Sequence, residues 1–218
     1  MNVLFSEDSI NDKKNGRLVT FEGGDGSGKT TQLDLLEKRL IDNRIEVVKT
    51  REPGGTQLGE RLRQLLLKGE FSTDPDTEML ILFAARAHHL STTILPALET
   101  GCWVLCDRFT DATFAYQGGG GGLDSESILQ LEKLVQKGMQ PDLTLLLDLP
   151  VEEGLNRVNK RGCNPDRFEK LGKAFKERVR QAYLTRQREE PLRIRLIDAS
   201  DSIEVIHKAI WNHVSKLF

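Results

Sequence analysis

The chain has 218 residues, with 31 basic against 33 acidic side chains and a net charge of −2, a balance that argues against general affinity for nucleic acid. It holds no run of 18 apolar residues, so no membrane span is expected, and its length suits one α/β domain with a substantial core. Its three cysteines follow no disulfide framework, and a reducing cytoplasm is the simplest compartment.

Residues 1–16 are polar, lack the basic start and apolar centre of a secretory signal, and read as a loose tail. The domain is expected over 17–218. Arg17 to Glu22 (RLVTFE) reads as the first strand, and Lys29 to Asn43 shows helical spacing through Leu33, Leu36 and Leu40. Between them, Gly23-Gly24-Asp25-Gly26-Ser27-Gly28-Lys29-Thr30 fits the pattern G-x-x-x-x-G-K-[ST] at every position. The glycines let backbone N–H groups turn inward onto phosphate oxygens, and the helix presents its positive end to them. Lys29 is expected at the β- and γ-phosphates and the Thr30 hydroxyl on Mg²⁺, which makes ATP binding the central expectation.

Ile45 to Thr50 is the second expected strand, followed by helices over Leu58 to Leu67 and Glu78 to about Thr93. His88-His89 reads as a pair on a helix surface. Trp103 to Asp107 (WVLCD) is a third strand, and Ile128, Leu131, Leu134 and Val135 give a helical stripe. Leu143 to Asp148 is a buried-type strand. Val151, Leu155 and Val158 mark a short helix, and Phe168, Leu171, Phe175 and Val179 a longer one. Ile194 to Asp198 is the last strand, and Ile203, Ile206, Ile210, Val214 and Leu217 form a closing amphipathic helix. The alternation predicts an α/β fold, a doubly wound five-stranded parallel sheet with helices on both faces and a phosphate loop after its first strand.

Ligands of such sheets bind beyond the carboxyl ends of the strands, and the other chemical signals fall there. Thr50 to Thr56 (TREPGGT) follows the second strand and Asp107-Arg108 the third. Either arginine alone reads equally as a surface ion pair. Two at neighbouring strand ends favour a clamp on an acceptor phosphate, since the guanidinium fork matches two oxygens. Asp107 reads either as a carboxylate near Mg²⁺ or as a partner that orients a neighbouring cation.

Taken in order, EGGDGSGKTTQ (22–32), TREPGGTQLGE (50–60), FAAR (83–86), DRF (107–109), AYQGGG (115–120), PDLTLLLD (141–148), DRFE (166–169) and IDAS (197–200) resemble the bacterial thymidylate kinases. The phosphate loop is common to many NTPases, whereas TREPGGT together with AYQGGG is specific. The resemblance implies transfer of the ATP γ-phosphoryl group to dTMP with Mg²⁺, and a homodimer. It implies that Arg51 and Arg108 hold the acceptor phosphate and that Arg86 meets the thymine edge. Thr113 and Gln117 fall around the base and Tyr116 near the deoxyribose, where its ring would crowd a 2′-hydroxyl. Tyr116 also reads as ordinary packing. Backbone near Ala199 and Ser200 borders adenine.

The chain departs from relatives in three places. Leu82 stands where many carry a base-stacking phenylalanine, with Phe83 one residue later, and either could serve. Gly121 replaces an arginine, and the phosphate loop has no arginine of its own. The last departure directs attention to a basic lid, Asn156 to Glu169, in which Arg157, Lys160, Arg161 and Arg167 are the cations. Arg157 and Arg161 are the expected catalytic cations beside Lys29, Arg51 and Arg108. The alternative is a solvated charged face. Glu169 matches a family carboxylate. Two rival functions are a nucleoside kinase, against which the paired phosphate-clamp arginines argue, and a slow nucleotide switch, for which no Asn-Lys-x-Asp segment is present.

Overall fold

The computed structural model describes residues 16–68, 74–160 and 167–218. The expected tail, Arg161 and Cys163 lie outside the described residues.

The five strands are β1 (Leu18–Glu22), β2 (Val47–Arg51), β3 (Trp103–Asp107), β4 (Leu143–Asp148) and β5 (Ile194–Asp198). They form one parallel sheet in the order β2-β3-β1-β4-β5. Right-handed crossovers need helices between parallel strands. The chain supplies α1 (Lys29–Asp42), α2 (Gln57–Leu67), α3 (Pro75–His89), α4 (Leu95–Glu99), α5 (Thr110–Thr113), α6 (Ser125–Gln136), α7 (Val151–Lys160), α8 (Lys173–Glu189) and α9 (Ile203–Val214).

Alternation along β1 divides the core. Val19 and Phe21 face α1 and α9, where they meet Leu33, Leu36, Ile206 and Ile210. Leu18 faces the other side and packs with Val104, Cys106, Leu90 and Ile94. Thr20 also points there, satisfied by a buried 2.8 Å hydroxyl contact with Thr144. Every strand ends on a charged residue: Glu22, Arg51, Asp107, Asp148 and Asp198. In-register pairing of Arg51 and Phe21 with Asp107 brings these ends to one edge of the sheet, where the phosphate loop leaves β1.

Three expectations are corrected. Leu134 is 69% exposed, so α6 buries Ile128 and not the whole expected stripe. Phe168 and Leu171 lie in a turn before α8, and Gly172 precedes the helix with extended backbone. His89 is fully buried, so the two histidines are not a surface pair. A helical stretch was also missed. Residues Thr110 to Gly120 run through α5 into a π-helical segment, Phe114–Gly120. Its glycines permit close packing on α8: a Cβ on Gly119 would stand 2.4 Å from the Ala182 Cβ, and one on Gly120 2.6 Å from the Phe175 ring.

Candidate functional site

Gly26 and Gly28 take left-handed backbone angles, φ +79° and +88°, which wind the loop so that Gly28 caps α1. Lys29 folds back over the loop mouth, its Nζ donating to the carbonyls of Gly23 and Gly24 at 2.9 Å each. Burial, then repulsion from Arg108, pushes the Lys29 ammonium down to about 8 against the pull of Asp107, Asp25 and Glu22. The Thr30 hydroxyl stands 3.4 Å from Asp107 Oδ2, while Asp107 Oδ1 is buried without a hydrogen-bond partner among the described residues.

Helix α7 presses on this loop through bare backbone. A Cβ on Gly26 would fall 2.5 Å from the Gly154 carbonyl oxygen, and one on Gly154 2.5 Å from that of Asp25.

Beside the loop is a cavity bordered by Asp25, Arg63, Leu82, Arg86, Arg108 and Phe168, with Thr113, Tyr116 and Gln117 on its α5 side. Arg86, from α3, is 2% exposed. Its Nε donates to Glu52 Oε2 at 2.7 Å and its Nη2 to the Thr113 hydroxyl at 3.1 Å. The other Glu52 oxygen is 3.0 Å from His89 Nδ1, and His89 Nε2 is 2.7 Å from the Thr50 hydroxyl. Arg86 Nη1 is buried with no partner among the described residues. A buried cationic donor left unpaired is costly unless a ligand carbonyl meets it.

Leu82 borders this cavity, whereas Phe83 belongs to the core with Met79, Phe114 and Ile128 and carries the Arg86 guanidinium 4.7 Å above its ring. That settles which of the two neighbours faces the cavity. Gln117 reaches Glu78 at 3.5 Å, and Arg167 pairs with the same carboxylate, which brings Phe168 edge-on to Tyr116 at 5.9 Å.

Arg108 occupies the boundary between loop and cavity. Its Nη1 donates to the Gly23 carbonyl at 3.2 Å and to Tyr183 OH at 3.1 Å; its Nη2 donates to Asp25 Oδ1 at 3.1 Å and Tyr116 OH at 2.9 Å. Asp25 also binds Lys176 Nζ at 3.0 Å. Burial works to raise the Asp25 pKa, but Arg108, Lys29 and Lys176 together hold it below the ordinary carboxylate value. Asp25, read in the sequence as part of the ATP loop, therefore directs its carboxylate to the second cavity wall.

The remaining expected residues are placed differently from one another. Arg51 is held by Glu60, with Nη2 to Oε2 at 2.9 Å, and does not border the cavity; Arg63 of α2 does. Arg157 donates to the Ala199 carbonyl at 3.0 Å, on the β5 side and away from the loop mouth. Ser200 is tied to Asp198 through its N–H at 2.9 Å. Lys160 ends α7. Glu22, Glu52, His89, Arg63, Lys176 and Tyr183 were assigned no role from sequence. Only Glu22 and Glu52 carried a signal, Glu22 as the charged end of a strand and Glu52 as a member of TREPGGT.

The thymidylate kinase family model matches residues 21–210. A thymidylate kinase of Chromohalobacter salexigens is 52% identical over 203 residues, covering 92% of this chain and 96% of the relative. One from Pseudomonas putida is 55% identical over 196 residues, covering 89% and 93%. The crystal structure of thymidylate kinase from Ehrlichia chaffeensis superposes with a TM-score of 0.75 at 36% identity, covering 92% of this chain and 99% of that one.

Proposed function

This chain belongs to the thymidylate kinase family, and from that membership we propose a division of labour among its residues in the transfer of the ATP γ-phosphoryl group to dTMP. The products are dTDP and ADP, a step toward dTTP. The observation that carries the acceptor assignment is Arg86, which borders a cavity that abuts the phosphate loop and whose buried Nη1 has no partner among the described residues. A donor-only edge favours the carbonyl of a thymine ring over the amino group of a cytosine.

The loop N–H groups from Gly23 to Thr30 receive the ATP phosphates, and Ala199 and Ser200 border the adenine. Lys29 exchanges its two loop carbonyls for phosphate oxygens, which its flexible stem permits. Arg108 turns part of its fork to the acceptor phosphate. Arg51 joins it by leaving Glu60, an exposed pair that costs little to break. Thr113 and Gln117 border the base, and Tyr116 the sugar. Residues 156–169 act as a lid in which Arg157 and Arg161 supply positive charge; Arg157's bond to Ala199 supports a station on the adenine side. Phosphoryl transfer asks the protein for positioning and charge, and these residues provide both.

Thr30 and Asp107 fit a Mg²⁺ ion, because Asp107 Oδ1 is a buried oxygen without a partner beside a hydroxyl. No group of three or more acidic, His or Cys residues suited to a metal occurs among the described residues, in keeping with an ion held largely by phosphates and water. Bound there, the ion would neutralise charge on the transferring phosphates.

Homodimerisation is supported by exposed Leu58 and Leu65 on α2, Leu80 on α3 and Leu134 on α6, helices that lie side by side. Among the described residues no helix is long and apolar enough to cross a membrane. The free thiols of Cys102 and Cys106 suit a cytoplasmic location.

The test is ADP release in a coupled assay with dTMP, dUMP, dCMP, AMP or thymidine as acceptor. The expected result is release that depends on dTMP above the others. Better turnover of thymidine would overturn the monophosphate clamp.

A further inference from the structure

Glu22 closes β1 just before the phosphate loop and is completely buried, and it does not border the acceptor cavity. One of its oxygens accepts the Phe109 N–H at 2.7 Å, and the other accepts the Tyr183 hydroxyl at 2.7 Å. Tyr183, 3% exposed on α8, accepts in turn from Arg108 Nη1 at 3.1 Å. A single carboxyl group therefore holds Arg108 twice, at the peptide after its Cα and, through Tyr183, at its guanidinium.

The backbone hold matters because Arg108 has φ +69°, a left-handed angle unusual for a residue with a side chain. Such a conformation persists only where its surroundings over-determine it. Here the Arg108 N–H donates to the Phe21 carbonyl at 2.9 Å, Cys106 Sγ reaches the Arg108 carbonyl at 3.0 Å, and Glu22 takes the next N–H.

The side-chain hold matters because Asp25 competes for the guanidinium at 3.1 Å. A neutral phenol accepts one N–H direction without neutralising the cation, and the Glu22 carboxyl polarises it from one remove. Without the phenol, Arg108 would settle on Asp25 and present less of its fork to a phosphate.

We propose that Glu22 and Tyr183 are positioning residues for the acceptor-phosphate clamp, setting the orientation of Arg108 through the chain Arg108–Tyr183–Glu22–Phe109 N–H. The proposal rests on the reading of Arg108 as that clamp.

Tyr183→Phe keeps the ring packing and removes only the hydroxyl; Glu22→Gln keeps the volume but offers Tyr183 a donor in place of a carboxylate, so binding is measured above pH 8, where Glu22 is ionised. Both are compared with Arg108→Ala and with the double variant, using equilibrium dTMP binding without ATP, KM for ATP and thermal unfolding. Loss of one hydrogen bond to a charged group predicts roughly tenfold weaker dTMP binding in each single variant, with KM for ATP within about twofold. The double variant is expected to be no weaker than the worse single, because either change already breaks the chain. If Arg108→Ala weakens dTMP binding while folded Tyr183→Phe and Glu22→Gln leave it within about twofold, the positioning role is wrong. Equal losses for dTMP and ATP would also overturn it, in favour of general structural support. No loss in Arg108→Ala would remove the clamp, and the positioning role with it.

Discussion

Arg86 and Glu52 form a salt bridge at 2.7 Å with side-chain exposures of only 2% and 5%. The pair joins α3 to the turn after β2, and His89 shares the same carboxylate from the next helical turn. Glu52 Oε2 at Nε and the Thr113 hydroxyl at Nη2 thus fix the plane of Arg86 and leave Nη1 over, while His89 holds the other oxygen of the acid.

Glu52→Ala leaves this cation buried and unpaired. Breaking such a pair costs about 3–5 kcal/mol, and urea unfolding is expected to register a loss of that size. Arg86→Ala is the comparison: it is expected to raise the KM for dTMP and to narrow the preference for dTMP over dCMP.

Lys29→Ala removes the point charge at the mouth of the phosphate loop. Turnover is expected to fall at least ~100-fold, on the scale of a lost electrostatic contact to the transition state. Near-normal kcat in a folded variant would take Lys29 out of the mechanism.

Arg108→Ala and Arg161→Ala are expected to separate ground-state binding from the chemical step. The first acts on a phosphate already present in dTMP and weakens its binding. The second lowers the single-turnover rate and leaves dTMP affinity without ATP unchanged. An intact rate in Arg161→Ala with a loss in Lys160→Ala would assign the catalytic cation to the lysine.

Glu22 makes stability fall with pH on the acid side of pH 8. Burial, then the nearby Asp111 carboxylate, raises Glu22 from 4.5 to about 8, against Arg108 and the hydrogen bonds from Tyr183 and Phe109. The folded protein holds that extra proton between the two values, so the Glu22 contribution falls as pH rises from 4.5 to 8. Lys29 is lowered from 10.5 to about 8, so its own contribution rises above 8, where the buried Cys106, Tyr116 and Tyr183, all raised by burial, work in the opposite direction. Each window is worth on the order of a few kcal/mol by linkage. Unfolding free energies at pH 6 and 8 test the acid side: the wild-type drop is expected to shrink in Glu22→Gln.

The three central strands β1, β3 and β4 were legible because they are apolar runs buried on both faces, and Trp103–Asp107, Leu143–Asp148 and Ile194–Asp198 match to the residue. Thr110–Gly120 was not legible as a helix because its glycines serve contact with Ala182 and Phe175, partners far along the chain. His89 misled for the same reason: its partners Thr50 and Glu52 lie 39 and 37 residues away. At the cavity, Arg86, Arg108, Gln117 and Phe168 stand inside the motifs and Thr113 between two of them, although Phe168 was read there as part of a helical stripe. Arg63 was given no place at the cavity, since no spacing rule relates α2 to α3.

Gly154 resting on Asp25 and Gly26 gives α7 a root pressed against the donor side of the site. A side chain at position 26 or 154 would have to push the two backbones apart, so the phosphate loop and the start of α7 share one spacing set by main chain against main chain. The six residues from Gly154 to Lys160 then carry that spacing roughly 9 Å further along the helix, at 1.5 Å per residue.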